Sequence, residues 1–365
     1  MKQSQPDYIL IFTILALILI GFVVLASAST VISNELFGES YHFLKHQLFY
    51  ALPLGLLALF VAQYFSYNHW RKMAPIFLIG SIILLVMVFI PDFGYVHGGA
   101  RRWLKIGSFS IQPFEFAKLA VVLYLAAILS KKGKEEEVIK QSLFPALVIL
   151  TVISVLLLLQ PDTSSLLILI AILFLLYFLA GIKLRYIFTS IPLLIIGFFV
   201  LIKLEPYRMN RVLAFLNPEI DPQGIGYQIN QALIAIGSGG ITGLGLGDSI
   251  QKWKYLPEPI GDSIFAIAAE ELGFIGGFII ISLFLVLVWR GMKIAKNSPD
   301  KFSYLLAGGI TGWIFLQMFL NIAAISSLCP LTGTPLPFIS YGGSALIVSL
   351  ASVGILINIS KFTKI

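Results

Sequence analysis

The chain has 365 residues, of which 58% are hydrophobic and only 12% charged, with a formal net charge of +7. A soluble domain carries about 25% charge because water must wet its surface, so a string of soluble domains is excluded and a polytopic helical membrane protein is expected. Continuous apolar runs exclude a β-barrel, whose strands alternate apolar and polar residues. The lack of a basic run interleaved with aromatics argues against nucleic acid as a partner.

Apolar windows bounded by polar or Gly/Pro segments predict ten transmembrane helices, at 8–29, 47–66, 73–90, 115–130, 143–160, 164–182, 186–203, 263–289, 303–327 and 337–359. They form one all-α membrane domain spanning 1–365. The first run, Tyr8 to Ala28, ends in Ala26-Ser27-Ala28, which resembles a cleavage site. At 21 residues it exceeds the about 7–15 of a signal-peptide core and reads as an uncleaved first helix. An even number of spans puts both termini on one side. With the termini in the cytoplasm, fifteen Lys and Arg fall inside and nine outside, although the outer loops are longer, so cytoplasmic termini are expected. The run Lys131 to Glu137 reads as a solvated cytoplasmic turn, and Gly308 and Gly312 as a close-packing pair within a span.

Two outer segments stand out. The loop 91–114 holds Arg101, Arg102 and Lys105 against a single acid, Asp92. The segment 204–262 is the one long extracytoplasmic loop, too rich in Gly and Pro for a separate domain and long enough to be functional. Within it, Tyr227 to Ile236 reads as a short amphipathic helix at the outer interface. The glycines from Gly237 to Gly247 lack the flanking strand and Lys-Ser/Thr of a nucleotide loop, and read as a flexible loop against a substrate or partner. Four His and the single Cys329 argue against zinc or a disulfide.

Ionisable residues in or beside a span are costly, so each is a functional candidate. Glu115 and Lys118 share a helical face at i and i+3, either as a buried ion pair or with Lys118 lining a polar cavity for an anion. Asp262 directly precedes an apolar run. It reads either as a helix N-cap or as a general base at the outer face, with Glu258 four residues earlier. The stretch from Pro330 to Gly343 packs three prolines and three glycines around Ser340. Irregular backbone at membrane depth must be buried in protein or line a cavity, so this is a site or a kinked start to the last span. An outward cationic site beside one acid suits an anionic lipid-linked substrate.

Several motifs, in order along nearly the whole chain, resemble the SEDS family (shape, elongation, division, sporulation). They are Gly99-Ala100-Arg101-Arg102-Trp103-Leu104, Gln112-Pro113-Phe114-Glu115-Phe116-Ala117-Lys118, Gln160-Pro161-Asp162, and the loop from Asn217-Pro218 to Tyr227-Gln228. Further on come Gly245-Leu246-Gly247, Trp253 to Glu258, Glu270-Glu271-Leu272-Gly273, and Pro335 to Gly343. The wording of Lys252-Trp253-Lys254-Tyr255 resembles the division-type FtsW branch more than the elongation-type RodA branch.

The resemblance implies a peptidoglycan glycosyltransferase of the bacterial inner membrane that polymerises lipid II. The expected partners are a class B penicillin-binding protein and other division proteins. Asp262 matches the catalytic aspartate and would deprotonate the acceptor hydroxyl. Undecaprenyl diphosphate would leave, its charge met by Arg101, Arg102, Lys118, Arg208 and Arg211. Glu115, Glu258 and Ser340 complete the expected substrate contacts. No organic cofactor is implied, and a divalent cation is compatible with the chemistry. The chain departs from the family's wording at Ile260 and Gly261 (usually His and Thr), Ser263 (Phe), Phe114 (Ser), Asp248 (Asn) and Ala323 (Gly). Lipid II flipping and an inactive scaffold are the competing readings.

Overall fold

The apolar runs fold as helices because a bilayer offers the backbone no partner outside its own i to i−4 bonds. In the computed structural model the described residues are 5–97, 100–107, 109–131, 135–183, 185, 197, 206–217 and 224–363. In chain order the helices are α1 (Tyr8–Ala28), α2 (Thr30–Phe37), α3 (His42–Tyr64), α4 (Tyr67–Met87), α5 (Pro113–Leu129), α6 (Glu135–Leu159) and α7 (Thr163–Leu179). They continue with α8 (Pro206–Leu216), α9 (Ile225–Ser238), α10 (Ile264–Lys296), α11 (Lys301–Ile325) and α12 (Gly343–Ser360).

Nine of the ten expected spans are helices, and the tenth, 186–203, lies outside the described residues. Among the described residues, seven helices are long and apolar enough to cross a membrane, and α7 is an apolar helix of 17 residues. Their ends depart from the hydropathy windows. α4 begins at Tyr67 rather than at 73, because Asn68 to Lys72 form a polar first turn that hydropathy reads as loop. α12 begins only at Gly343, since Pro335, Pro337 and a turn at 337–339 keep the preceding backbone out of the helix.

The mostly helical fold is the expected one, and within it the 91–114 loop carries a small sheet. The sheet is antiparallel, with β1 (Gly94–His97), β2 (Ala100–Ile106) and β3 (Phe109–Ile111) in the order β1-β2-β3. Tyr95 faces Trp103, and Leu104 faces Ile111. Leu104 is fully buried while Arg101 and Lys105 are exposed, a strand alternation too short to detect beside the apolar runs.

The core is built around α5, α11 and α12, the most enclosed helices among the described residues. α12 packs on α3, and α11 packs on α10, α7 and α5. A methyl on Gly308 or Gly312 would collide with Leu179 or Leu175 of α7, which is the close packing their spacing predicts. Asp7, Asp162 and Asp300 cap α1, α7 and α11, accepting from Leu10 N, Ser165 N and Ser303 N at 3.0, 3.2 and 2.9 Å.

α10 breaks at Gly273, whose φ of +67° and ψ of −167° leave helical space. The freed groups find partners in the glycine-rich run. Glu270 O and Glu271 O accept from Leu244 N and Gly245 N, while Phe274 N and Ile275 N donate to Gly240 O and Ile241 O. A side chain at Gly243 or Gly273 would strike the opposing backbone, so close main-chain approach explains these glycines and phosphate binding does not. The expected amphipathic helix of the long loop is α9, packed on α10.

Candidate active site

The residues before α10 form a tight turn from Pro257 to Ser263. Glu258 adopts φ +50°, and its carbonyl accepts from Gly261 N at 3.1 Å and Ser263 N at 3.3 Å. Three successive peptide oxygens of the turn are then gripped from outside. Ile260 O accepts from Tyr341 N at 2.8 Å, Gly261 O from Ser340 Oγ at 2.7 Å, and Asp262 O from Asn321 Nδ2 at 2.8 Å. The irregular 330–342 strap and α11 therefore fix where Asp262 sits.

Asp262 does not cap α10. Ser263 occupies the cap position, and no side chain there accepts a helix N–H. The Asp262 side chain is half-buried, and its Oδ1 is sealed from solvent without a hydrogen-bond partner. Burial, and next the Glu258 carboxylate, push its pKa up to about 7, with Arg211 and Gln228 pulling the other way. Gln228 on α9 also donates to Ser263 Oγ at 3.2 Å.

Arg208 and Arg211 project from α8 into a cavity of about 210 Å³ walled by Leu167, Val212, Leu320 and Leu331 and edged by Ser164 and Thr332. Arg211 Nη1 donates to Leu331 O at 3.0 Å and lies 3.4 Å from Ser164 Oγ. An apolar chamber with guanidinium groups at its wall suits an anion on an apolar chain.

The other expected site residues are placed differently. Arg102 donates from Nε to Gln160 O at 3.2 Å and from Nη2 to Pro161 O, so it braces the turn that leads into α7. Arg101 is exposed on β2, and Glu258 is exposed beside Asp262. Ser340, expected at substrate, has its hydroxyl committed to the backbone: it donates to Gly261 O and accepts from Leu336 N at 2.7 Å.

Glu115 and Lys118 are sealed inside the bundle, with Lys118 only 1% exposed. The Lys118 ammonium pairs with Glu115 at 2.9 Å, donates to Gln317 Oε1 at 2.7 Å and lies 4.9 Å from the Trp313 ring centre. Gln317 Nε2 in turn donates to Pro335 O at 2.9 Å, so the ion pair supports the strap and not an open cavity. Phe114, in place of the family's usual Ser, adds its ring 5.6 Å from the ammonium.

A second shell of charge was not assigned a role from sequence. Glu270 accepts from Ser249 Oγ at 2.5 Å and Ile250 N at 3.0 Å. Glu271 accepts from Lys252 Nζ at 3.2 Å and from Ser27 Oγ at 2.5 Å. These carboxylates fasten the loop that runs into the Asp262 turn. Their adjacency in Glu270-Glu271-Leu272-Gly273 was the available signal, but only the break at Gly273 turns both toward the loop. Asp248 is exposed in a turn folded over Gly245.

Fold and site together define an integral membrane protein with a carboxylate–guanidinium site at the end of one long loop. A family model for a cell cycle protein, covering FtsW, RodA and SpoVE, matches residues 8–365, and the chain belongs to that family. Stage V sporulation protein E of Bacillus subtilis is 41% identical over 364 residues, covering 100% of this chain and 99% of that protein. A probable peptidoglycan glycosyltransferase FtsW of Geobacter metallireducens is 40% identical, covering 99% and 96%. A chain from a peptidoglycan synthase complex that coordinates polymerization and crosslinking superposes with a TM-score of 0.80 at 29% identity, over 97% of both chains. The rod shape determining protein RodA of Thermus thermophilus superposes with a TM-score of 0.70 at 28% identity, over 98% of each.

Proposed function

We propose that this chain is a peptidoglycan glycosyltransferase that polymerises lipid II at the outer face of the bacterial cytoplasmic membrane, with Asp262 as general base. The observation that carries this reading is a half-buried carboxylate, its pKa pushed up to about 7, near the guanidinium of Arg211, a residue that itself lines an apolar cavity. A base is most effective when its pKa lies near the working pH. The peptidoglycan glycosyltransferase name carried by a relative 40% identical supports the same reaction.

In this reaction Asp262 takes the proton from the acceptor's GlcNAc 4-hydroxyl as its oxygen bonds to the donor's anomeric carbon. The bond from that carbon to the diphosphate oxygen breaks, and undecaprenyl diphosphate leaves with the electron pair. Arg211 and Arg208 meet the developing negative charge, a preorganised contribution that needs no solvent rearrangement. The cavity's aliphatic wall takes the first isoprene units. A divalent cation would rely on Glu258 and the substrate's own phosphates, since magnesium is commonly held by one or two carboxylates plus phosphate.

Both termini lie in the cytoplasm in this reading, supported by the fifteen-to-nine bias of Lys and Arg. A class B penicillin-binding protein is the partner, a reading supported by the synthase complex among the structural relatives. We assign the chain to division on the wording of Lys252 to Tyr255. The sporulation-named relative is equally similar, so depletion with imaging of septa and spores tests that finer assignment. The central experiment is lipid II polymerisation by wild type and Asp262→Asn, each with and without the partner. Polymer made by a folded Asp262→Asn variant overturns the assignment.

A further inference from the structure

The strap segment around Gly333 is held on both sides. Arg211 donates to Leu331 O, Ser164 to Thr332 O, and Asn321 to Thr334 O, while the hydroxyls of Thr332 and Thr334 lie 3.1 Å apart. Gly333 itself is exposed and adopts φ +61°. A Cβ built on it would lie 3.6 Å from Asp262 Oδ2 and 3.8 Å from Arg211 Nη2, with no other atom beyond its chain neighbours within 4 Å. Both distances are ordinary van der Waals contacts. An atom at that point therefore touches the carboxylate and the guanidinium together.

We infer that the point above Gly333 is where the reacting sugar edges of acceptor and donor meet, and that Gly333 is a specificity-determining residue because it keeps that point open. The inference rests on the reading of Asp262 as base. A transferred glycosyl group must present the acceptor oxygen to the base and the leaving oxygen to a cation at the same moment. Above Gly333 a single atom contacts both groups. Any side chain there would stand where the pyranose has to stand, without touching either charged group's own anchoring.

Two explanations of the glycine predict opposite orders of damage. If only the positive φ matters, Gly333→Ala is the worse variant, because Asn tolerates left-handed backbone better than Ala. If the open point matters, Gly333→Asn is worse, because its longer side chain fills the sugar's seat. The test measures lipid II polymerisation by the full chain with its class B penicillin-binding partner in lipid nanodiscs, with rates normalised to folded protein. Gly333→Ala, Gly333→Asn and Asp262→Asn are compared with wild type.

The expected result is about a 100-fold loss for Gly333→Asn, the scale of a misplaced substrate, and a smaller loss for Gly333→Ala. Lipid II titration of Gly333→Asn should show the loss mainly in kcat, which a merely loosened strap would not single out. Gly333→Asn polymerising as well as or better than Gly333→Ala, with Asp262→Asn inactive, overturns the inference and leaves the base in place. Polymerisation by Asp262→Asn overturns both.

Discussion

Two acid–base pairs of this membrane protein have nearly the same composition and opposite surroundings. Glu115 and Lys118 are enclosed, and the ammonium has a carboxylate, an amide oxygen and an indole face around it. Asp262 lies near Arg211, with one oxygen unpartnered and its pKa raised. The first pair has settled its electrostatics within the fold, whereas the second keeps unsatisfied potential that a substrate can use. Enclosure by partners, more than the presence of charge, separates the pair inside the bundle from the one proposed to react.

The sharpest way to break that contrast is Asp262→Asn, which should cut polymerisation about 10³-fold with the fold intact, read as glycan product against melting temperature. Lys118→Met should do the reverse. Leaving Glu115 buried without its partner should destabilise the protein by about 3–5 kcal/mol, seen as a lower melting temperature in detergent. Adding Glu115→Gln to Lys118→Met should recover much of that loss, because no charge then remains buried and unpaired.

Arg211→Lys keeps the charge but loses the planar fork, and should slow polymerisation by about tenfold to a hundredfold in single-turnover measurements. The pH profile should rise through about 7 as Asp262 loses its proton. Glu258→Gln should move that rise to lower pH, since the neighbouring negative charge is one of the causes that raise it.

The smallest effect concerns stability. A carboxyl raised from 3.8 to about 7 in the fold binds its proton more tightly folded than unfolded. Wild type should therefore lose stability as pH rises from about 4 to about 7, while Asp262→Asn stays flat there. At pH 8 the variant should melt a few degrees above wild type, about 2–4 °C for each kcal/mol regained.

Much of the membrane architecture was legible because burial in lipid demands long apolar runs, and such runs are visible one residue at a time. The sheet at 94–111 was not, since its strands are short and few buried residues, such as Ala100 and Leu104, mark the inward face. Asp262 could be placed at the end of the long loop, but its choice between cap and base needed the backbone geometry of Ser263. The roles of Ser340 and Asn321 were illegible for a different reason. Both act on peptide oxygens 79 and 59 residues away, and a contact to main chain leaves no complementary residue type to search for.

The grip on Ile260 O, Gly261 O and Asp262 O carries an evolutionary consequence. Every residue type offers the same carbonyl, so a turn fastened by its peptide oxygens is blind to mutation at its neighbouring side chains. The three carbonyl contacts do not depend on which side chains stand at 260 and 261, although Ile260 packs into the core and Ser263 Oγ is held by Gln228. With Ile and Gly at 260 and 261, the mount that holds the aspartate is therefore still complete.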